Sequence, residues 1–95
     1  MSLKLLVTFD VKVDQVEAFV KTLQGAKSTI ATAEGCEGVE VLVSEESPNK
    51  VVLSEIWTTM ELHNQYAERM REAGSMDQMA ARLNGPPTMD FYSIK

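Results

Sequence analysis

Three side chains that could bind an oxygen atom and move a proton lie close together in the second half of the chain. Glu55 and Trp57 are two residues apart on a predicted strand, so a carboxylate and an indole N–H should share one face. His63 follows shortly after and is the only histidine, the residue type that titrates near neutrality. For each residue a structural alternative stays open. Trp57 could be a core residue that pairs locally with Glu55, and His63 could be an exposed residue of a helix.

Further candidates are apolar or aromatic side chains that would shape a pocket. Tyr66 offers a phenolic donor, and flexible methionines suit an adaptable binding surface. The pocket-lining candidates are Phe9, Phe19, Glu55, Met70 and Met79, within a methionine-rich region that also holds Met60 and Met76. The same residues would serve equally as ordinary core packing, and Tyr66 as a helix residue with its hydroxyl at the rim.

Composition excludes several classes of function. One cysteine and one histidine cannot supply a metal site that needs two histidines or two cysteines from one chain, so we expect no metal. Cys36 stands among acidic residues that would disfavour its thiolate, and there is no glycine-rich phosphate loop. A net charge of −5 argues against nucleic acid and anionic membranes as partners. With no membrane span or signal core, we expect a cytoplasmic protein.

Periodicity places these candidates on a short series of elements. Leu3 to Val11 alternates as a strand, and apolar residues recur at helical spacing from Val16 to Ala33. A Gly35–Gly38 turn should precede a second strand, and Thr58 with Glu61 resembles the capping box of a second helix. The remaining predictions are strands at 39–43, 51–57 and 89–95 and a short helix at 76–83.

The order β-α-β-β-α-β indicates one α+β domain over residues 1–95 with a ferredoxin-like fold. Such a fold has a four-stranded antiparallel sheet with its helices on one face, which leaves the other face bare. Leu6, Leu42, Val52 and Ile56 would lie on that bare face. An apolar face needs cover, so we predict a homodimer formed through the sheets.

Several segments, taken in order, resemble the antibiotic-biosynthesis monooxygenase (ABM) family. They are Gly35-Cys36, the valine-rich strand, Ser47-Pro48-Asn49 and the Glu55-x-Trp57 strand end, and the resemblance spans nearly the whole chain. It implies a dimeric α+β barrel with a pocket between sheet and helices in each protomer. The family includes cofactor-independent oxygenases of quinols and polyketide aromatics, haem-degrading enzymes and an isomerase of a sugar phosphate.

The resemblance implies a monooxygenase whose reactants are a small quinol-like or polyketide-like aromatic and molecular oxygen, and which uses no cofactor. Trp57 would orient the ring, while His63 and Tyr66 would handle protons. Haem is disfavoured because Tyr66 or Ala67 stands where the family places its ligand, and the first strand lacks asparagine. The alternatives are a non-catalytic dimeric module for a small ligand or a regulatory partner, and an isomerase of a sugar-derived metabolite.

Overall fold

The computed structural model describes residues 2–74 and 79–95 and contains one sheet with helices on one side. Its elements, in chain order, are β1 (Leu3–Asp10), a 3-10 turn (Val13–Gln15), α1 (Val16–Ala31), β2 (Cys36–Val43), β3 (Lys50–Trp57), α2 (Met60–Glu72) and β4 (Thr88–Ser93). This is the predicted β-α-β-β-α-β order. The short helix predicted at 76–83 lies partly outside the described residues.

The sheet is antiparallel throughout and has the strand order β2-β3-β1-β4, as a ferredoxin-like fold requires. The prediction of this fold is confirmed, including the central position of the apolar β3. In β1 the odd-numbered residues Leu5, Val7 and Phe9 face the helices and are buried. Their register partners across β3 are Glu55, Leu53 and Val51, so both strands contribute one continuous face.

Helix α1 packs on this face through the apolar stripe that its sequence spacing predicts. The buried residues of the helix are Phe19, Leu23 and Ile30. After the second helix, the chain returns along the end of β1. The backbone N–H of Lys12 donates to the carbonyl of Arg82, and the N–H of Asn84 donates to the carbonyl of Asp10, both at 2.8 Å. These bonds hold the segment before β4 against the end of β1.

Two local predictions are wrong in detail. The turn after α1 ends at Gly35, and Cys36 already belongs to β2, with the strand register shifting between Cys36 and Gly38. The cap of α2 is Thr59, whose Oγ1 accepts the backbone N–H of Leu62 at 3.1 Å. The Thr58 hydroxyl donates instead to the carbonyl of Gly35 at 3.2 Å.

Gly35 determines how closely α2 approaches the sheet. Its φ is +90°, a region that side chains rarely adopt, and a Cβ there would lie 2.6 Å from Cδ1 of Leu62. Its carbonyl also accepts the backbone N–H of Thr58 at 2.8 Å. Glycine therefore lets the first turn of α2 pack directly over the end of β3, where Trp57 lies.

The other face of the sheet carries no helix in the described residues. Leu6, Val52 and Ile56 are half-buried there, and Leu42 is 44% exposed. On the same face Tyr92 pairs with Lys4 across β1 and β4 and is 52% exposed. The predicted apolar face therefore exists. Among the described residues, neither helix is long and apolar enough to cross a bilayer.

Candidate functional site

A cavity of about 320 Å³ lies between the core face of the sheet and the two helices. Strands β1 and β3 form one wall, α1 and α2 form two more, and the segment from Met79 to Pro87 closes part of the last side. Most of its lining is apolar, contributed by residues such as Leu5, Val7, Leu53, Met70 and Met89. Cavities of this kind, with few polar groups, are typical sites for small molecules.

Glu55 is the buried carboxyl of the site. Its side chain is 4% exposed, lies on the cavity wall, and accepts the indole N–H of Trp57 at 2.6 Å on Oε1. Burial raises the pKa of Glu55, because the charged form loses its hydration, and the bond from Trp57 opposes part of that rise. The carboxyl is thus held in one orientation by a residue behind it.

His63 belongs to the first turn of α2 and lies above Trp57. The two ring centroids are 5.4 Å apart at 78°, and the ring of Phe91 of β4 packs edge-on with the imidazole at a centroid distance of 5.2 Å. Burial lowers the pKa of His63, and the hydrogen bond that the imidazole donates to Asn64 opposes this. Nδ1 lies 3.3 Å from Oδ1 of Asn64. Because an amide oxygen only accepts, this contact favours a proton on Nδ1 and a free lone pair on Nε2.

The alternative of an exposed helical histidine is wrong, since His63 is only 4% exposed. The reason is its spacing: His63, Tyr66, Ala67 and Met70 follow the i, i+3, i+4, i+7 pattern of one helix face. All four line the cavity. That spacing was visible in the sequence, and it is the signal that would have placed His63 inside.

Tyr66 completes the polar end of the cavity. Its ring is half-buried, with its centroid 5.4 Å from that of Trp57. Burial and the nearby Glu55 carboxylate raise the pKa of Tyr66 to about 12, because both disfavour the phenolate. At neutral pH the side chain is therefore a phenol, able to donate a hydrogen bond to a ligand oxygen.

The structure brings together most of the predicted site residues. On the cavity wall it places Phe9, Glu55, His63, Tyr66, Met70 and Met79. Phe19 and Trp57 are fully buried behind this wall, with Phe19 packed edge-on against Phe9 at a centroid distance of 5.0 Å. Met60 is exposed at the start of α2, and the prediction for Met76 lies outside the described residues.

Sequence reasoning missed the contribution of the C-terminal strand. Met89 and Pro87 line the cavity, and Phe91 covers His63. Met89 pairs with Val7 and Phe91 with Leu5 across β1 and β4, which directs them to the core face. The alternation of β4 was a visible signal, but only its pairing partner shows which of its two faces meets the cavity.

Cys36 does not line the cavity in the described residues. It is half-buried in β2, and burial raises the pKa of its thiol, with an added contribution from Glu55 and Glu37. The interpretation of Cys36 as a packed residue rather than a nucleophile fits this environment. Within residues 2–74 and 79–95, no group of three histidine, cysteine or carboxylate side chains could hold a metal ion.

The site therefore combines a large apolar wall with three protic groups at one end: a neutral imidazole, a phenol and a positioned carboxyl. A neutral imidazole can accept a proton, and a phenol can stabilise a developing oxyanion by hydrogen bonding. This arrangement can bind a flat apolar molecule and exchange a proton with its polar edge.

Comparison with known proteins gives the family and the fold. Residues 2–71 match the family model described as antibiotic biosynthesis monooxygenase. No curated protein sequence matches this chain. A conserved protein of Methanosarcina mazei Go1 has a similar structure, with a TM-score of 0.89 at 17% identity over 100% of this chain and 94% of its own.

Two further solved structures share the fold. A candidate antibiotic biosynthesis monooxygenase of Nitrosomonas europaea has a TM-score of 0.89 at 22% identity, covering 98% of this chain and 89% of its own. A monooxygenase from the ActVA-Orf6 gene of Streptomyces coelicolor, solved with the ligand nanaomycin D, has a TM-score of 0.84 at 19% identity. That match covers 99% of this chain and 88% of the other.

Proposed function

Because the chain belongs to the antibiotic biosynthesis monooxygenase family, we propose that it oxygenates a quinol-like or polyketide-like aromatic without a cofactor. The observation that carries this proposal is the convergence of Glu55, His63 and Tyr66 on one apolar cavity. A purely structural cavity would have no reason to place three protic groups at one end, two of them buried, since removing polar groups from water is costly. The S. coelicolor monooxygenase that holds nanaomycin D supports a small-molecule ligand in this fold.

The proposed chemistry begins with proton removal. His63 takes a proton from the phenol or enol of the substrate, and Tyr66 donates a hydrogen bond to the oxygen that becomes negative. The electron-rich anion then reacts with molecular oxygen at carbon to form a C–O bond and a peroxide. Return of the proton from His63 gives a hydroperoxide. Loss of the remaining hydrogen on that carbon, with cleavage of the O–O bond, then releases water and leaves a carbonyl. For a reacting CH₂ group, the sum is substrate plus O₂ giving ketone plus H₂O.

Trp57 acts in this scheme as a positioning residue. It was expected to orient the aromatic ring of the substrate, but its side chain is fully buried and lies behind Glu55, His63 and Tyr66. Its indole fixes the carboxyl by a hydrogen bond and supports both rings that face the cavity. Replacing Trp57 should therefore disturb the geometry of all three protic groups.

Oxygen uptake with a panel of quinols and anthrones tests the function. We expect uptake above buffer with the wild type and a loss of about 100-fold or more in kcat with His63→Ala, the usual range for a removed general base. Gln65→Ala is a matched control, because Gln65 is exposed on the same helix. No uptake above buffer with any substrate, or equal rates for His63→Ala and Gln65→Ala, would contradict the proposal.

A non-catalytic binding module is the second candidate, and the formed cavity itself favours it. The same panel separates the two: calorimetric binding of a quinol without oxygen uptake supports the binding module. A sugar-phosphate isomerase would need cationic side chains in the cavity. None of the residues that the structure places on the wall is lysine or arginine.

We also propose that two copies associate through the uncovered sheet face. Leu6, Leu42, Val52 and Ile56 form an apolar strip on that face, and a second copy presents the same strip for burial. Burial of apolar surface contributes roughly 25 cal/mol per Å² removed from water. Association through this face leaves each cavity on the helix side of its own sheet.

A further inference from the structure

The electrostatic character of the cavity restricts the charge of its ligand. Among the residues described on the wall, Glu55 is the one carboxyl, and no lysine or arginine is present. The sequence positions outside the described residues, 1 and 75–78, include no lysine or arginine either. Arg69 and Arg71 on α2 are exposed, and Arg82 donates to the hydroxyl of Thr22 at 2.8 Å.

An anionic ligand would therefore lose its hydration without gaining a cationic partner. Moving a charged group into an apolar site is costly unless it is paired and hydrogen-bonded. Burial also raises the pKa of Glu55, and an incoming anion would raise it further. The anion must either lie beside a charged carboxylate or bind together with a proton, and both alternatives weaken its binding.

The polar groups that do face the cavity suit an uncharged hydroxylated ligand. The carboxyl of Glu55 and the free nitrogen of His63 can each accept a hydrogen bond from a ligand hydroxyl. Tyr66, a phenol at neutral pH, can donate to a ligand oxygen. Apart from Thr29, the rest of the wall is apolar and includes Met70 and Met79, which adapt to flat surfaces.

We propose that the cavity selects uncharged hydroxylated aromatics over analogues that carry a carboxylate or phosphate, and that Glu55 is the specificity-determining residue. Only the aromatic nature of the ligand rests on the proposed function; the charge selection follows from the cavity wall. A volume of about 320 Å³ is near the lower end of small-molecule sites and suits a ligand of a few fused rings. The substrate class is thus narrowed to neutral phenols and quinols.

Isothermal titration calorimetry at pH 7.5 tests this selection without requiring turnover. The probes are 2-naphthol, 2-naphthamide and 2-naphthoate, of which the amide matches the carboxylate in shape but is neutral. We expect 2-naphthol and 2-naphthamide to bind at least about 10-fold more tightly than 2-naphthoate, since like charges in contact cost several kcal/mol. Equal affinities for the amide and the carboxylate would overturn the proposal, as would no binding of either neutral probe.

Two variants test whether the charge of the cavity wall causes the preference for neutral ligands. Glu55→Gln keeps the shape and the acceptor for Trp57 but removes the negative charge, so the preference for amide over carboxylate should fall by about 10-fold. Met89→Lys places a cation at a partly exposed position of the wall and should raise the affinity for 2-naphthoate even if Glu55→Gln fails to fold. An unchanged preference in a folded Glu55→Gln and in Met89→Lys would refute the assignment. Because oxygen uptake plays no part, failure of the oxygenase proposal is recognised separately.

Discussion

The hydrogen bond from the Trp57 indole to Glu55 can be removed with a small change of shape, by Trp57→Phe. Both partners are buried, and the N–H donates to Oε1 at 2.6 Å. Phenylalanine keeps an aromatic ring beside His63 and Tyr66 but leaves the carboxyl without this donor. We expect the variant to be less stable than the wild type, by an amount that depends on whether Glu55 is charged.

The magnitude follows from the two protonation states. When Glu55 is charged, loss of a buried hydrogen bond to it costs about 1.5–3 kcal/mol; when it is neutral, the loss costs about 0.5–1.5 kcal/mol. The smaller ring has three fewer heavy atoms and leaves a void at least as large as a methyl group, which adds about 1 kcal/mol at any pH. The expected destabilisation is therefore about 2.5–4 kcal/mol at high pH and about 1.5–2.5 kcal/mol at low pH.

The direction of this pH dependence has a thermodynamic cause. Burial raises the pKa of Glu55 above its ordinary 4.5, and the bond from Trp57 lowers it, so Trp57→Phe raises the folded-state pKa further. A raised carboxyl pKa gives stability that is complete below the unfolded pKa and is lost as pH rises through the folded pKa. Because the variant has the higher folded pKa, it loses more stability on going from acid to alkaline pH.

Urea denaturation followed by far-UV circular dichroism at pH 3.5 and pH 8 measures both values, since the variant has no tryptophan for fluorescence. Glu55→Gln and the double variant Glu55→Gln/Trp57→Phe complete a cycle in which the pH dependence of the Trp57 substitution should disappear. A destabilisation below about 1 kcal/mol, or one equal at both pH values in the presence of Glu55, would refute the reasoning.

Burial lowers the pKa of His63 below 6.5, so the acid limb of kcat/KM should lie below pH 6.5; a limb above that value would contradict the assignment of the base. Gly25 lies inside α1, and a Cβ there meets nothing within 4 Å, so Gly25→Ala should raise the free energy of unfolding by up to about 1 kcal/mol. Gly35→Ala should lower it by about 1–3 kcal/mol because of its positive φ and the contact with Leu62; equal urea midpoints for the two variants would show the backbone reasoning to be wrong. Leu42→Lys on the uncovered sheet face should convert a dimer to a monomer in light scattering, and a monomeric wild type would contradict the proposed association.

The sequence predicted the strands and helices well because their periodicity reflects one buried face. The alternation in β1 and the stripe in α1 each matched the residues that the structure buries. The errors fell at element ends, at Cys36 and Thr59, where a backbone turn and a side-chain cap set the boundary. Such boundaries depend on which neighbouring strand or helix is present, and local spacing does not contain that information.

The sequence predicted which residue types form the candidate site. It did not predict which of their side chains line the cavity and which lie buried behind its wall. The spacing of Glu55 and Trp57 correctly placed a carboxyl beside an indole, and their hydrogen bond is the local pairing considered from the sequence. The spacing of these two residues could not show that Glu55 faces the cavity while Trp57 lies behind it. That difference arises because α2 packs over the end of β3, at a distance permitted by Gly35, and covers the indole.

By itself the sequence determined the α+β fold class, the face that each element buries, and a scarcity of metal-binding and nucleophilic residues. Only the tertiary structure decided that His63 is buried, that Glu55, His63 and Tyr66 meet at one end of a cavity, and that no described wall residue is cationic. The physical reason is that periodicity records burial along one element. The approach of β3, α2 and β4 to a common space depends on contacts between residues far apart in the chain.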